Sequence, residues 1–317
     1  MHYRLLGLTG LNVSVLGLGG SPLGGVFGAV DEAEGVRIVR TALDCGVNFL
    51  DVAPFYGNTR AEAVLGRALR GVPRHSYILA TKVGQYCSGE FDFSASRVTR
   101  SFDDSCARLG VEYVDLLQCH DIEYADLGQI VGETLPALVR LREAGRIGHI
   151  GITGLPLKIF RAVIDQVSPG TVETALSFCR YTLNDSALTA LLPYLTAKRI
   201  GVINAAVTGM GLLTDGALPP WHPATPAMIA GARRAVELCQ RRGQNIVTLA
   251  IQFSISNPSI SATLVGAVTE EQVRENVRAA DSPIDFELMA EVLKELQPIK
   301  DHNFMRGRPE NRDLLIP

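Results

Sequence analysis

Short apolar runs alternate along the chain with longer stretches in which apolar residues recur at helical spacing. VLGLGG precedes EAEGVRIVRTALDCG, NFLDV precedes RAEAVLGRALRG, YILATK precedes SASRVTRSFDDSCARLG, and VDLLQCH precedes LGQIVGETLPALVRLREAG. IGHIGIT then leads into PLKIFRAVIDQV, VETALSF into SALTALLPYLTAK, IGVINAA into ATPAMIAGARRAVELCQRRG, and SATLVGA into TEEQVRENVRAA. The short runs are apolar at successive positions, as strands are when helices cover a parallel sheet. Eight such units in 317 residues predict an α/β fold closed into a (β/α)8 TIM barrel, since an open doubly wound sheet usually has fewer.

Three segments fall outside the repeat. YRLLGLTGLNVSVL has a Thr-Gly turn between alternating segments and reads as an N-terminal hairpin closing the barrel's bottom. NIVTLAIQFSISN is an extra helix before the eighth strand, and FELMAEVLKELQPI is a further C-terminal helix. Ser94 or Ser96 can cap a helix start, and Gly71, Gly110 and Gly145 stand where helix ends want a left-handed residue. No linker or low-complexity stretch interrupts residues 1–317, which read as one barrel domain.

A barrel gathers its chemistry at the C-terminal ends of its strands. Those ends carry Gly19-Gly20-Ser21, then Asp51 with Tyr56, then Lys82, then His120-Asp121, Thr153-Gly154 and Ser177. Asp51, Tyr56, Lys82 and His120 therefore come from consecutive strand ends that converge on one mouth. A free tyrosine titrates near pH ~10, too high for easy proton exchange at neutral pH. An adjacent ammonium stabilises the phenolate, and a carboxylate keeps the ammonium charged and oriented. Taken singly, Asp51–Lys82 is an ion pair between strands, Tyr56 a loop residue and His120 a core histidine. Together they read as a general acid/base site, with His120 donating to a carbonyl or hydroxyl oxygen.

Composition narrows the partners. A formal charge of −3 gives no support to nucleic acid or an anionic membrane as a partner. No apolar run reaches the length of a spanning helix, and MHYRLLGLTG lacks a signal peptide's pattern. The six cysteines are scattered without a CxxC pair or zinc spacing, as reduced thiols in a cytoplasmic protein would be. HDIE at 120–123 has no second histidine at matching spacing, so no metal is expected. GLGGSPLGG lacks the GxGxxG spacing, and Pro22 falls where a dinucleotide-binding helix should run. Cys119 points away from His120 by strand alternation and reads as packing.

The order of GLGG, NFLDVAPFYG, ILATKVG, EYVDLLQCHD, GHIGITG and ENV resembles the aldo-keto reductase superfamily along nearly the whole chain. GEFDFSASRVTRS, CHDIE, GITGLP, LPYL, MGLLTDG, PPWHPA and LVGAV resemble its sugar-dehydrogenase branch, the plant-type L-galactose dehydrogenases and bacterial aldose 1-dehydrogenases. The resemblance implies a catalytic tetrad of Asp51, Tyr56, Lys82 and His120 beneath a nicotinamide cofactor stretched across the mouth. Cofactor contacts would come from Gly20, Ser21, Thr153, Ser177, Gly211, Leu213, Gly266, Gln272 and Asn276. Three places depart from the common pattern. Thr153-Gly154 replaces Ser-Asn, Ser177 takes the place of a glutamine, and Ala206-Val207-Thr208 replaces Ser-Pro-Leu.

Where NADPH-preferring relatives carry a lysine and an arginine, this chain has Gly266 and Gln272, with Glu270 and Glu271 at the helix start. A 2′-phosphate needs cations, so NAD is expected over NADP. The implied activity is NAD-dependent oxidation of a free aldose at its anomeric carbon to the lactone. Asp121 and Trp221 would line the sugar site, Trp221 standing either as an anchor on the barrel wall or as a lid. An aldehyde or pyridoxal reductase or dehydrogenase of the same family, or a nucleotide-binding regulatory subunit with little turnover, is the alternative. The expected state is a monomer or weak homodimer acting on a small-molecule sugar.

Overall fold

The computed structural model describes residues 1–87 and 89–313. β1 (Tyr3–Leu5) and β2 (Asn12–Ser14) form an antiparallel hairpin. Eight parallel strands follow: β3 (Leu16–Gly19), β4 (Phe49–Asp51), β5 (Ile78–Val83), β6 (Val114–Cys119), β7 (Ile147–Gly154), β8 (Thr174–Phe178), β9 (Gly201–Ala205) and β10 (Ala262–Val265). They pair in chain order, and β10 closes the ring by pairing with both β9 and β3.

Helices cover the outside: α1 (Glu32–Asp44), α2 (Arg60–Leu69), α3 (Ala95–Leu109), α4 (Leu127–Gln129), α5 (Leu135–Glu143), α6 (Lys158–Ile164), α7 (Leu192–Ala197), α8 (Pro226–Arg241), α9 (Ile246–Ile255), α10 (Glu270–Asp281) and α11 (Phe286–Leu296). Side-chain oxygens of Asp31, Thr225, Thr269 and Asp285 cap four of their starts. Gly71, Gly110 and Gly145 all have left-handed backbone, with φ of 76°, 71° and 69°.

Two local expectations are corrected. Ser94 holds the N-cap position of α3 but makes no capping bond, and Glu133 Oε1 accepts from the Ala95 N–H instead, at 2.8 Å. The stretch from Leu127 to Glu143 is not one α-helix, because Ile130–Thr134 winds as a π-turn between α4 and α5. Pro136 lacks the N–H that an unbroken α-helix would use there, and a wider turn accommodates the loss.

Period-two alternation decides what faces the barrel axis. Phe49, Ala80, Leu116, Leu176, Ile203, Ala262 and Leu264 fill the lower interior, and Leu6 and Val13 of the hairpin plug it from below. Their strand neighbours Leu50, Leu79, Leu117, Ala175 and Val202 join the outer core beneath the helices. Two positions further along, β4, β5 and β6 turn Asp51, Lys82 and Gln118 inward. An apolar plug thus carries a polar floor at the mouth.

Residues beyond α11 form a strap that the sequence reading did not anticipate. Asp301 Oδ1 accepts from the Ser186 N–H at 2.7 Å, and Asn303 donates to Cys179 O and Asp185 at 2.8 and 2.9 Å. Asn311 donates to Glu123 O and Ala125 O at 3.0 and 2.9 Å, and Asp313 accepts from the Leu157 N–H at 2.9 Å. The strap therefore ties together the loops that leave β6, β7 and β8.

Candidate active site

Lys82 lies at the centre of the polar floor. Its Nζ pairs with Asp51 Oδ1 and donates to Val52 O at 3.1 Å and to the Tyr56 hydroxyl at 3.3 Å. Gln118, which the sequence reading passed over, donates from Nε2 to Asp51 Oδ2 at 2.8 Å. One carboxylate oxygen is thus held by the lysine and the other by the amide. Both partners of the ion pair are buried, so removing one leaves an uncompensated charge, a loss of about 3–5 kcal/mol. The signal for Gln118 was its parity: it shares the inner face with Leu116 and His120.

The loop presenting Tyr56 is wound by consecutive left-handed residues, Gly57, Asn58 and Thr59, with φ of 62°, 50° and 73°. Thr59 is β-branched, so this conformation is strained. Gly57 also packs directly on the first loop, where a Cβ would lie 2.2 Å from Gly24 O. Only glycine fits that contact, and it fixes Tyr56 against the loop carrying Ser21. His120 is held by its own N–H to Val83 O at 2.8 Å, and its ring stands perpendicular to that of Tyr56 with centroids 5.6 Å apart. Its Nδ1 is buried without a partner.

Burial raises the Tyr56 phenol above its ordinary value, and the Lys82 charge only partly offsets this. The lysine's charge is shared with Asp51 before it reaches the phenol. Burial works against the Lys82 ammonium as well, but Asp51 and Tyr56 outweigh it and hold its pKa up. Burial pushes His120 down to about 3, with the Lys82 and Arg306 charges acting in the same direction against Asp121. The imidazole is neutral at every working pH.

Thr153 is on the inner face at the mouth, and its Oγ1 accepts from the Asp121 N–H at 2.9 Å. Ser177 is elsewhere. Leu176 belongs to the inner cluster, so alternation turns Ser177 to the helix side, where its hydroxyl is buried unpartnered, and brings Phe178 to the mouth instead. Gly20 donates to Asp51 O at 2.7 Å, and Ser21 opens a short 3-10 turn. Gly211 has φ of 101°, whereas the Leu213 side chain is fully buried in the second core cluster. Trp221 is half exposed and meets Phe27 of the first loop edge-on at 5.6 Å.

At the start of α10, Asn276 Nδ2 donates to Gly266 O at 3.5 Å and Gln272 Oε1 accepts from the Val268 N–H at 2.9 Å. Glu270 pairs with Arg37 and Arg274 at 3.2 and 3.6 Å, and Glu271 pairs with Arg278 at 2.6 Å. Both carboxylates at the helix start are therefore paired with arginines. The arginines beside them are thereby spent on carboxylates, and the Glu270 N–H itself donates to Glu34 Oε1 at 3.3 Å.

Asp121 follows His120 with φ of 49°, and its carboxylate is not free. Arg306 of the strap reaches Asp121 Oδ2 at 2.6 Å and Glu123 Oε1 at 3.2 Å. This arginine was missed because nothing in HNFMRGRPE marks it. The residues present fit a nicotinamide dinucleotide: His120 Nδ1 is buried without a partner, and Gly19 ends β3 at the mouth without a side chain.

The Aldo/keto reductase family is matched over residues 15–297. L-galactose dehydrogenase from Arabidopsis thaliana is 49% identical over 317 residues, covering 98% of this chain and 99% of its own. D-arabinose 1-dehydrogenase from Saccharomyces cerevisiae is 32% identical, covering 77% of this chain and 76% of its own. Among solved structures, the holo form of an aldo-keto reductase from Bacillus halodurans superposes with a TM-score of 0.79 at 25% identity, covering 99% of this chain and all of the other. Among the described residues, no helix is long and apolar enough to cross a membrane.

Proposed function

Because the chain belongs to the aldo/keto reductase family, we propose that it is an NAD-dependent dehydrogenase that oxidises the anomeric carbon of a free aldose to the lactone. The observation that carries the reading is the Tyr56 hydroxyl, held 3.3 Å from the Lys82 ammonium on the polar floor of the mouth. The near-full-length similarity to L-galactose dehydrogenase supplies the substrate class.

The nicotinamide, when bound, supplies the hydride acceptor. Tyr56, as phenolate, accepts the proton of the C1 hydroxyl as the C1–H bond breaks, leaving the carbonyl of the lactone. Lys82 holds that phenolate by charge and hydrogen bond, and Asp51 keeps Lys82 protonated. The neutral imidazole of His120 orients the reacting oxygen. Thr153 is the inner-face hydroxyl nearest in sequence to the position expected to hold the carboxamide. Arg37 and Arg274, both engaged by Glu270, leave little free positive charge for a 2′-phosphate, which supports NAD over NADP.

A panel of aldoses assayed with NAD and with NADP, followed at the nicotinamide absorbance, tests both parts. Sugar-dependent reduction of NAD, fastest with L-galactose-like stereochemistry, is expected. Absence of turnover with every aldose would overturn the assignment, and equal use of NADP would overturn the cofactor preference.

A further inference from the structure

The strap carries one arginine into the mouth, and its surroundings are built rather than incidental. Arg306 is shared between two buried carboxylates, Asp121 and Glu123, while its guanidinium lies 5.0 Å from the Tyr124 ring centroid and 5.2 Å from that of Phe178. Gly307 beside it has φ of 81°, and a Cβ there would sit 2.6 Å from Glu123 O, so the chain turns hard against Glu123 at this point. The Arg308 N–H and the Asn311 amide then both donate to Glu123 O, at 2.9 and 3.0 Å. Each contact fixes where the guanidinium stands. It stands next to His120, through Asp121, and over Phe178, the residue that strand alternation turns to the mouth.

We propose that Arg306 is a specificity-determining residue that reads the hydroxyl groups of the sugar chain. The inference rests on the aldose reading above and deepens it. A guanidinium has five donors in a fixed planar fork, and the two carboxylates engage only part of it. Vicinal hydroxyls of a polyol offer paired acceptors to the remaining N–H groups. The Asp121 pairing holds the fork still, so little conformational freedom is lost when the sugar binds. A site that hydrogen-bonds hydroxyls discriminates strongly against a substrate lacking them, because its donors are then left unpaired.

The test compares L-galactose oxidation with NAD against propanal reduction with NADH. The variants are Arg306→Lys and the double substitution Arg306→Met with Glu123→Gln, the second change removing one of the two carboxylates that the first would leave buried without their cation. For the double variant, the loss in kcat/KM is expected to be at least about tenfold greater for the sugar than for propanal, residing in KM, with Arg306→Lys intermediate. Equal losses on both substrates, with a matching drop in melting temperature, would make Arg306 a structural clamp and overturn the proposal. An unchanged KM for the sugar would overturn it too. A wild type that reduces propanal but oxidises no aldose sinks the aldose reading, and the role of Arg306 with it. A wild type that oxidises L-galactose alongside variants with unaltered KM sinks the role of Arg306 alone.

Discussion

The Tyr56 hydroxyl sits 3.3 Å from a lysine whose charge is already shared with Asp51. Replacing Tyr56 by Phe removes the proton acceptor and almost no volume, so the expected loss in turnover is about 10²–10⁴-fold. Cofactor affinity, read by fluorescence titration, should stay near wild type. Retention of more than about a tenth of the activity would exclude Tyr56 as the acid/base on the same scale. The pH dependence follows from burial. The phenol is raised above its ordinary value, and oxidation needs the phenolate, so kcat/KM should climb steadily from about pH 6 to pH 9. His120, held down at about 3, stays neutral throughout and adds no limb of its own. An inflection near pH ~6.5 that disappears in His120→Asn would refute that assignment. Gln118 belongs at this scale too. Its amide holds Asp51 Oδ2 at 2.8 Å, so Gln118→Leu should free the carboxylate and lower kcat while leaving KM for the sugar within about twofold. A pre-steady-state measurement with unchanged kcat would place Gln118 outside the proton path.

All eight barrel strands were legible as short apolar runs, because a parallel sheet covered by helices shows little else. The four residues at their ends were legible for a related reason: a polar residue ending such a run has few places to go but the mouth. What failed was parity and partnership. Ser177 was placed at the mouth when Leu176 and Phe178 hold the inner face, and counting alternate residues from the apolar plug would have shown it. The pairing of Glu270 with Arg37 joins residues of α10 and α1 that are far apart in sequence, and no local pattern encodes it. That pairing changes how cofactor choice should be tested. A lysine at Gly266 is a poor probe, since its Cβ would lie 2.5 Å from Pro22 Cγ. Glu270→Gln with Gln272→Arg instead releases Arg274, while Arg37 keeps its pairing with Glu34, and adds a second free cation. One new charge-assisted hydrogen bond is worth roughly 1.5–3 kcal/mol, so the NADP/NAD ratio of kcat/KM should rise by about one to two decades. No change in the ratio would place the adenine ribose away from α10.

The strap joins loops of three strands, so the stability of the mouth depends on the charge cluster it closes over. Asp121 and Glu123 share Arg306, which leaves the cluster one positive charge short if both carboxyls ionise. Burial, with Asp121 acting in the same direction and Arg306 against it, pushes Glu123 up to about 8 from an ordinary 4.5. Its Oε2 is buried without a partner, and a side chain on Gly154 would touch it at 2.7 Å, so there is little room to solvate the charge. In the unfolded chain the same carboxyl ionises at its ordinary value. The folded state therefore binds an extra proton between about 4.5 and 8, and its stability falls as pH rises through that window, levelling off above it. Glu123→Gln keeps the shape and removes the titration. Melting temperatures measured from about pH 5 to pH 9 should decline less steeply in the variant than in wild type, with the two curves diverging upward through the window. At the alkaline end the variant should be the more stable protein, because the strap no longer holds a charge it cannot neutralise. Parallel curves would mean that Glu123 is ionised throughout and that Arg306 serves both carboxylates at once.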